Sequence, residues 1–414
     1  MSHHYLLSII LSIVLFWSDG HAQSYQRIQA MRMVQQGDNM SKTALFDEAI
    51  FSYTNAIATD NSYAEAYMKR ASLYQRLGRY TEAQRDYDMA IRLNPYSAYF
   101  LDAKAKLNFL AQNYEEGLKD VQRAIEMDPD NRDFIDHRID GCILSGEYEQ
   151  AMEDIDQLQR ENYNPELTQL KKALVHFLNE DLTAAEEDVR MVLDLNDQNA
   201  LAYDVLGLIS LKENKPEEAI EHFDQALEIN PNFALAFYNK GIAYDLLGDK
   251  QTALKFFNQA MDTQLDQAKV YFASGLVRKE MGDFAGAIKD YSAANEFDTA
   301  YFNAIYNRAF SYKMLGNFPS ALDDANRAIE LEPQDADAYA LRGNVYLLFG
   351  EYERAISDYN RALTYDSDQH EARFNRGLAK LFNYDILNGC QDLRMAVDLG
   401  YDAGEDAMKN FCAP

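Results

Sequence analysis

Residues 336–369 read ADAYALRGNVYLLFGEYERAISDYNRALTYDSDQ. Two runs of helical periodicity meet at Gly350, a residue type that ends helices where a left-handed conformation is wanted. Within the unit, Tyr339, Tyr346 and Tyr359 supply bulk, while Gly343, Ala355 and Ala362 are small. Shifted by 34 residues, the same pattern recurs without a slip from near Ala30 to the C-terminal region. One column holds Ala49, Ala83, Gly117, Ala151, Ala185, Ala219, Ala253, Ala287, Ala321, Ala355 and Gly389, so all eleven members are small. A second, seven residues later, is Ala except at Leu158 and Val192, and a third is Gly or Ala except at Ile139. Small side chains at helical spacing let helix axes approach closely. They are packing contacts and not chemistry. Turn glycines recur at Gly78, Gly146, Gly248, Gly282, Gly316 and Gly350, and Pro95, Pro129, Pro231 and Pro333 mark the ends of second helices. The chain is therefore expected to be all-α, with each repeat a helix, a tight turn and a second helix.

Composition agrees. The chain has 414 residues, 47% of them hydrophobic, with 39 Lys+Arg against 67 Asp+Glu and a formal charge of -28. The apolar content excludes global disorder, and the acidic excess without a basic block argues against nucleic acid as a partner. Eight Pro and 19 Gly leave little for long linkers.

The columns, taken at Tyr339, Gly343, Tyr346, Gly350, Ala355, Tyr359 and Ala362, resemble the tetratricopeptide repeat. The resemblance covers about nine tenths of the chain. It implies a right-handed superhelical α-solenoid of about eleven 34-residue repeats over 30–401, after a lead-in at 23–29, closed by a C-terminal capping helix at 402–414. The departures gather in 132–199, at Ile139, Cys142, Leu158, Gln169, His176 and Val192, a zone expected to be bent or loosely packed. Gly389, Cys390, Asp392, Leu393, Ala396, Leu399, Gly400, Ala403 and Cys412 also resemble the closing segment of exported bacterial members of the family.

The stretch Tyr5 to Trp17 is apolar apart from Ser8 and Ser12, and Gly20 and Ala22 follow. It is shorter than the roughly 18 residues of a membrane span and reads as an export signal cleaved after Ala22. The alternative is an uncleaved anchor, the one case in which the protein would contact a membrane. A periplasmic or secreted location in a bacterial envelope follows, and an oxidising compartment permits a bridge. Cys390 occupies a packing column beneath the last helix, so a Cys390–Cys412 disulfide is expected, leaving Cys142 a buried free thiol. Asp402 with Glu405 three residues on reads as a reciprocal helix cap.

No nucleotide-binding loop, nucleophile elbow or metal-binding helix motif occurs, so no enzyme is expected, and no cofactor or metal. Asp128, Asp130, Asp133 and Asp136 lack the turn glycine of a calcium loop and carry Arg132 in a ligand place. What remains is the stripe of the first helices that the family resemblance places on the inner surface. Asp102, Asp133, Asp136, Asp140 and Asp204 make its N-terminal part acidic. Tyr238, Asn239, Phe272, Tyr306, Asn307, Asn344, Phe374 and Asn375 make its C-terminal part aromatic and amide-rich. Asn239, Asn307 and Asn375 share a column and are similar to a ladder that holds an extended peptide backbone in this family. The other reading is that Asn merely fills that column. A clamp for a C-terminal carboxylate is not expected, because around Asn239 only Lys269 among Asp204, Leu208, Lys269 and Ala273 fits one. Two functions stay open: a peptide-binding adaptor for basic or neutral extended segments, and a subunit of an export or outer-membrane assembly that docks through its convex face or ends.

Overall fold

The computed structural model describes residues 24–261 and 267–412, and all of their regular structure is helical. The expected signal segment at 1–22 lies outside the described residues. The chain divides after Asp197 into two compact units. In the first unit, a helix over 24–42 pairs with Phe46–Thr59, and the next pairs are Ala64–Arg76 with Tyr80–Leu93 and Ala98–Leu110 with Tyr114–Met127. Arg132–Ser145 with Tyr148–Arg160 and Pro165–Leu178 with Leu182–Leu195 complete it. The second unit runs from Ala200–Lys212 with Pro216–Ile229 to His370–Phe382 with Ile386–Asp398, followed by the single helix Ala403–Phe411. The lead-in expected at 23–29 is thus helical from residue 24.

The columns have a direct packing cause. A Cβ at Gly207, Gly241, Gly275 or Gly343 would meet the ring of Phe223, Phe257, Tyr291 or Tyr359, sixteen positions on, at 2.3 to 2.8 Å. Glycine on the first helix therefore seats an aromatic ring of the second. Where the first helix has Ala105 or Ala173, the matching residue is the smaller Val121 or Val189, all fully buried. Volume is balanced across these pairs, as a close-packed interior requires, while Ala71 with Tyr87 and Ala309 with Ala325 depart from the rule in opposite directions.

The turn between paired helices is also set by the fold rather than by glycine alone. Gly78, Gly146, Gly248, Gly282, Gly316 and Gly350 all have positive φ, and so do Ala44, Gln112, Glu180, Asn214 and Tyr384 in the same column. These five accept a conformation that L-residues resist.

Salt links form a further column. Arg70, Arg138, Arg308, Arg342 and Arg376 each grip an Asp sixteen residues on, namely Asp86, Asp154, Asp324, Asp358 and Asp392, through two N–H donors at 2.6 to 2.8 Å. A third N–H of the same guanidinium reaches the preceding second helix, at Thr54, Gln122, Ser292, Asn326 and Asn360. One cation thereby ties three helices. In the second unit the column is broken by Leu206, Lys240 and Ser274. Lys240 instead bonds Asp224 and lies 4.5 Å from the centre of the Phe256 ring, and Ser274 donates to Asp290 at 2.6 Å.

The zone 132–199 is not loosely packed. Ile139, Cys142, Ile155 and Leu158 are fully buried in one cluster. Its unusual residues compensate one another: Ile139 faces Ile155 in place of a glycine and a ring, and Phe109 lies over Gly141, where a Cβ would come within 2.3 Å. Cys142 is the free, buried thiol, its pKa pushed up to about 12 by burial.

At the C-terminus, Cys390 and Cys412 are joined by a disulfide with Cα atoms 5.7 Å apart. The last helix packs Phe411 against Phe382 at 6.2 Å, and the turn before it brings Tyr401 to 5.0 Å from Phe374. The reciprocal cap is not formed. Asp402 takes a helical conformation (φ -57°, ψ -33°), so its side chain makes no capping bond, and the capping arrangement needs an extended residue there. Among the described residues, no helix is long and apolar enough to cross a membrane.

Candidate functional site

The expected groove residues do lie on the first helices, but most of their polar atoms are already engaged. Asp102 is buried, 2.8 Å from His137 Nδ1 and 2.9 Å from Lys106. Lys171 bonds Asp136 at 2.8 Å and Asp140 at 2.6 Å. Asp133 is exposed and accepts a hydrogen bond from the Tyr163 hydroxyl. The acidic stripe of the first unit is thus largely engaged from within, by Lys106 on the same helix as Asp102 and by His137 and Lys171, 31 to 35 positions later on the next first helix. Lys171 and His137 were not read as its partners, although both occupy one column.

Asp204, in the second unit, is buried and accepts both Asn239 amide hydrogen bonds, at 3.0 and 3.1 Å. Burial pushes its carboxyl up to about 6, against the opposing effect of Asn239.

The asparagine ladder is corrected in the same way. Asn239 is buried and spends its amide on Asp204. Asn307 is buried, donates to the Asn303 carbonyl at 2.8 Å and accepts from Lys279 at 2.8 Å. Asn375 donates to Asn344 at 2.9 Å, which also accepts from Tyr359 at 2.7 Å. The column crosslinks neighbouring first helices, so these amides stabilise the array and are not a free row for a peptide backbone. The aromatic members are likewise packed. Tyr238 lies 5.8 Å from Phe257, and Phe272 lies 5.0 Å from Tyr301 and 5.9 Å from Tyr291.

Tyr306 is different. It stands in the wall of a cleft of about 300 Å³ in the second unit, with Phe310, Lys313, Asp337, Asn344 and Glu371 among the residues around it. Burial, and then the carboxylates of Asp337, Asp335 and Glu371, push its phenol up to about 12. Burial also lowers the Lys313 ammonium, which sits 4.5 Å from the Phe310 ring centre. Asp337 is raised, by burial first and then by Asp335 and Asp366. The cleft forms because three first helices, Phe302–Met314, Ala336–Phe349 and His370–Phe382, follow one another with the small Ala340 and Ala372 between the larger residues. Sequence reading found Tyr306 and Asn344 here but missed Asp337 and Glu371. They share a column that holds Leu235, Lys269 and Asn303 in the preceding repeats, and that change of charge was the available cue.

Among the described residues, no group of three or more His, Cys, Asp or Glu is placed to hold a metal ion. The paired helices define an α-solenoid. Segments 64–97, 234–266 and 306–371 match tetratricopeptide-repeat family models, and 207–248 matches a TPR-repeat model. The chain is a tetratricopeptide repeat protein, and as such a protein–protein interaction scaffold.

Comparison with curated proteins gives no match. Similar solved structures include YrrB, described as a TPR protein with an unusual peptide-binding site, at 21% identity over 44% of this chain and 95% of that one, with a TM-score of 0.40. A tetratricopeptide repeat protein from Parabacteroides merdae is 22% identical over 60% of this chain and 99% of its own, with a TM-score of 0.44. The Cut9–Hcn1 hetero-tetramer of the APC/C aligns at 13% identity over 94% and 96%, with a TM-score of 0.45.

Proposed function

We propose that the protein is a non-catalytic adaptor of the bacterial envelope that holds an extended segment of a partner protein on the first-helix face of its second unit. The observation that carries this reading is the Tyr306 cleft. It combines aromatic walls with the carboxylates of Asp337 and Glu371, which form no ion pair among the described residues, whereas the other expected groove positions are filled by the protein's own side chains. The apolar segment 5–17 and the Cys390–Cys412 bridge support an exported, oxidising location. Selection of displayed dodecapeptides on the full chain tests the binding reading. Selected segments should lose at least tenfold in affinity on Ala340→Arg, which fills the cleft, and unchanged affinity would refute it.

A second reading has its own support. Tyr384 and Leu387, 92% and 82% exposed, with Ile386 beside them, form an apolar patch at the turn between the two helices of the last pair. Patches of this kind mark docking surfaces, as expected of an assembly subunit that engages through its end.

A further inference from the structure

We propose that the Tyr306 cleft selects an arginine side chain of the bound segment, its guanidinium lying against the aromatic wall and facing the carboxylates of Asp337 and Glu371. The proposal rests on the extended-segment reading above and adds the chemistry of the residue recognised.

Four features of the cleft converge on a cation. Asp337 and Glu371 are exposed at its rim, and among the described residues neither forms an ion pair. That sets them apart from Asp102, Asp136 and Asp140, each matched by His137, Lys106 or Lys171. Asp335 and, at Asp337, Asp366 add to the same negative field, so that after burial, the larger cause, they help the Asp337 carboxyl and Tyr306 phenol hold their protons more tightly than usual. Secondly, Gln369 donates to Asp337 at 2.6 Å while its own carbonyl oxygen is buried without a partner, leaving an acceptor for a further N–H. Thirdly, the wall is aromatic, from Tyr306 and Phe310, and a planar cation gains from an aromatic face. Phe310 already carries the Lys313 ammonium at 4.5 Å. Finally, about 300 Å³ is the low end of the range for small-molecule sites, room for one long side chain. Lys313 and His370 are the basic side chains in the lining, and the Lys313 ammonium opposes an incoming cation.

The test uses the full chain and three dodecapeptide pools, degenerate except for a central Arg, norleucine or Glu, with dissociation constants read by fluorescence anisotropy. The Arg pool should bind at least tenfold tighter than the norleucine pool. Asp337→Asn with Glu371→Gln should erase that difference, and Lys313→Met should tighten the Arg pool further. All three positions lie at the rim or half-exposed, and an unchanged thermal unfolding curve shows that the variants are folded. Equal binding of the Arg and norleucine pools overturns the proposal, and if Ala340→Arg still abolishes that binding, the extended-segment reading stands. Tightest binding by the Glu pool, weakened by Lys313→Met, also overturns it in favour of an anion. Absence of binding by every pool overturns both readings.

Discussion

Arg342 grips Asp358 with two parallel hydrogen bonds of 2.7 Å and reaches back to Asn326 with a third of 2.7 Å. The pair spans the two helices of one repeat, and the third bond joins the repeat before it. Asp358 is nearly inaccessible, so its charge depends on that guanidinium. Removing one partner of a buried pair leaves an uncompensated charge and costs roughly 3 to 5 kcal/mol, whereas removing both costs far less. Arg342→Met should therefore destabilise the neighbourhood more than Arg342→Met with Asp358→Leu. Hydrogen exchange over 302–398 reads the difference, and it should stay local because solenoid stability is a sum over neighbouring repeats.

Asp204 should make stability depend on pH. Its folded pKa of about 6 lies above the ordinary 3.8. Between those values the folded state holds a proton that the unfolded state has released, so stability falls as pH rises from 3.8 through 6. The loss is on the order of 3 kcal/mol. Asp204→Asn should abolish this slope and be the more stable protein at pH 7.5, as urea denaturation at pH 4.5 and 7.5 would reveal.

The turn column predicts changes of opposite sign. Glu180 and Gln112 have φ of 63° and 60°, and replacing either by Gly should stabilise by roughly 1 kcal/mol. Gly316→Ala, at φ 72° with open space around its Cβ position, should lose a similar amount because only the backbone objects. Thermal melts of the three variants suffice.

Reduction of the Cys390–Cys412 bridge should cost the C-terminal cap roughly 2 to 4 kcal/mol. Hydrogen exchange over 386–411 should accelerate under reductant. Cys142, buried and free, should remain unmodified by a thiol reagent in the folded protein.

The repeat architecture was legible because its determinants recur. A small column of eleven members and a turn glycine in six of the repeats leave one frame, and the rings of Phe223, Phe257, Tyr291 and Tyr359 are written opposite their glycines. The Arg–Asp links also recur, at a spacing of sixteen residues in five repeats, but a charged column on a helix also describes a solvated face. The groove is less legible because the partners of its residues lie on neighbouring helices. Asp136 and Lys171, or Asp204 and Asn239, are 35 positions apart and belong to neighbouring helices, so their mutual satisfaction appears only when the helices are brought side by side. The cap at Asp402 failed for a local reason: its spacing to Glu405 was right, but its backbone is helical.

The central claim is that a partner's extended segment lies on the first-helix face of the second unit. A photoreactive amino acid placed at Ala340, in the cleft, and separately at Tyr384, on the exposed turn, can be crosslinked in the native host and the adducts mapped to residues of the captured partner. The account predicts adducts from position 340 on one contiguous segment containing an arginine, lost when Asp337→Asn and Glu371→Gln are introduced. Adducts from position 384 alone, spread over a folded surface of the partner, would contradict it.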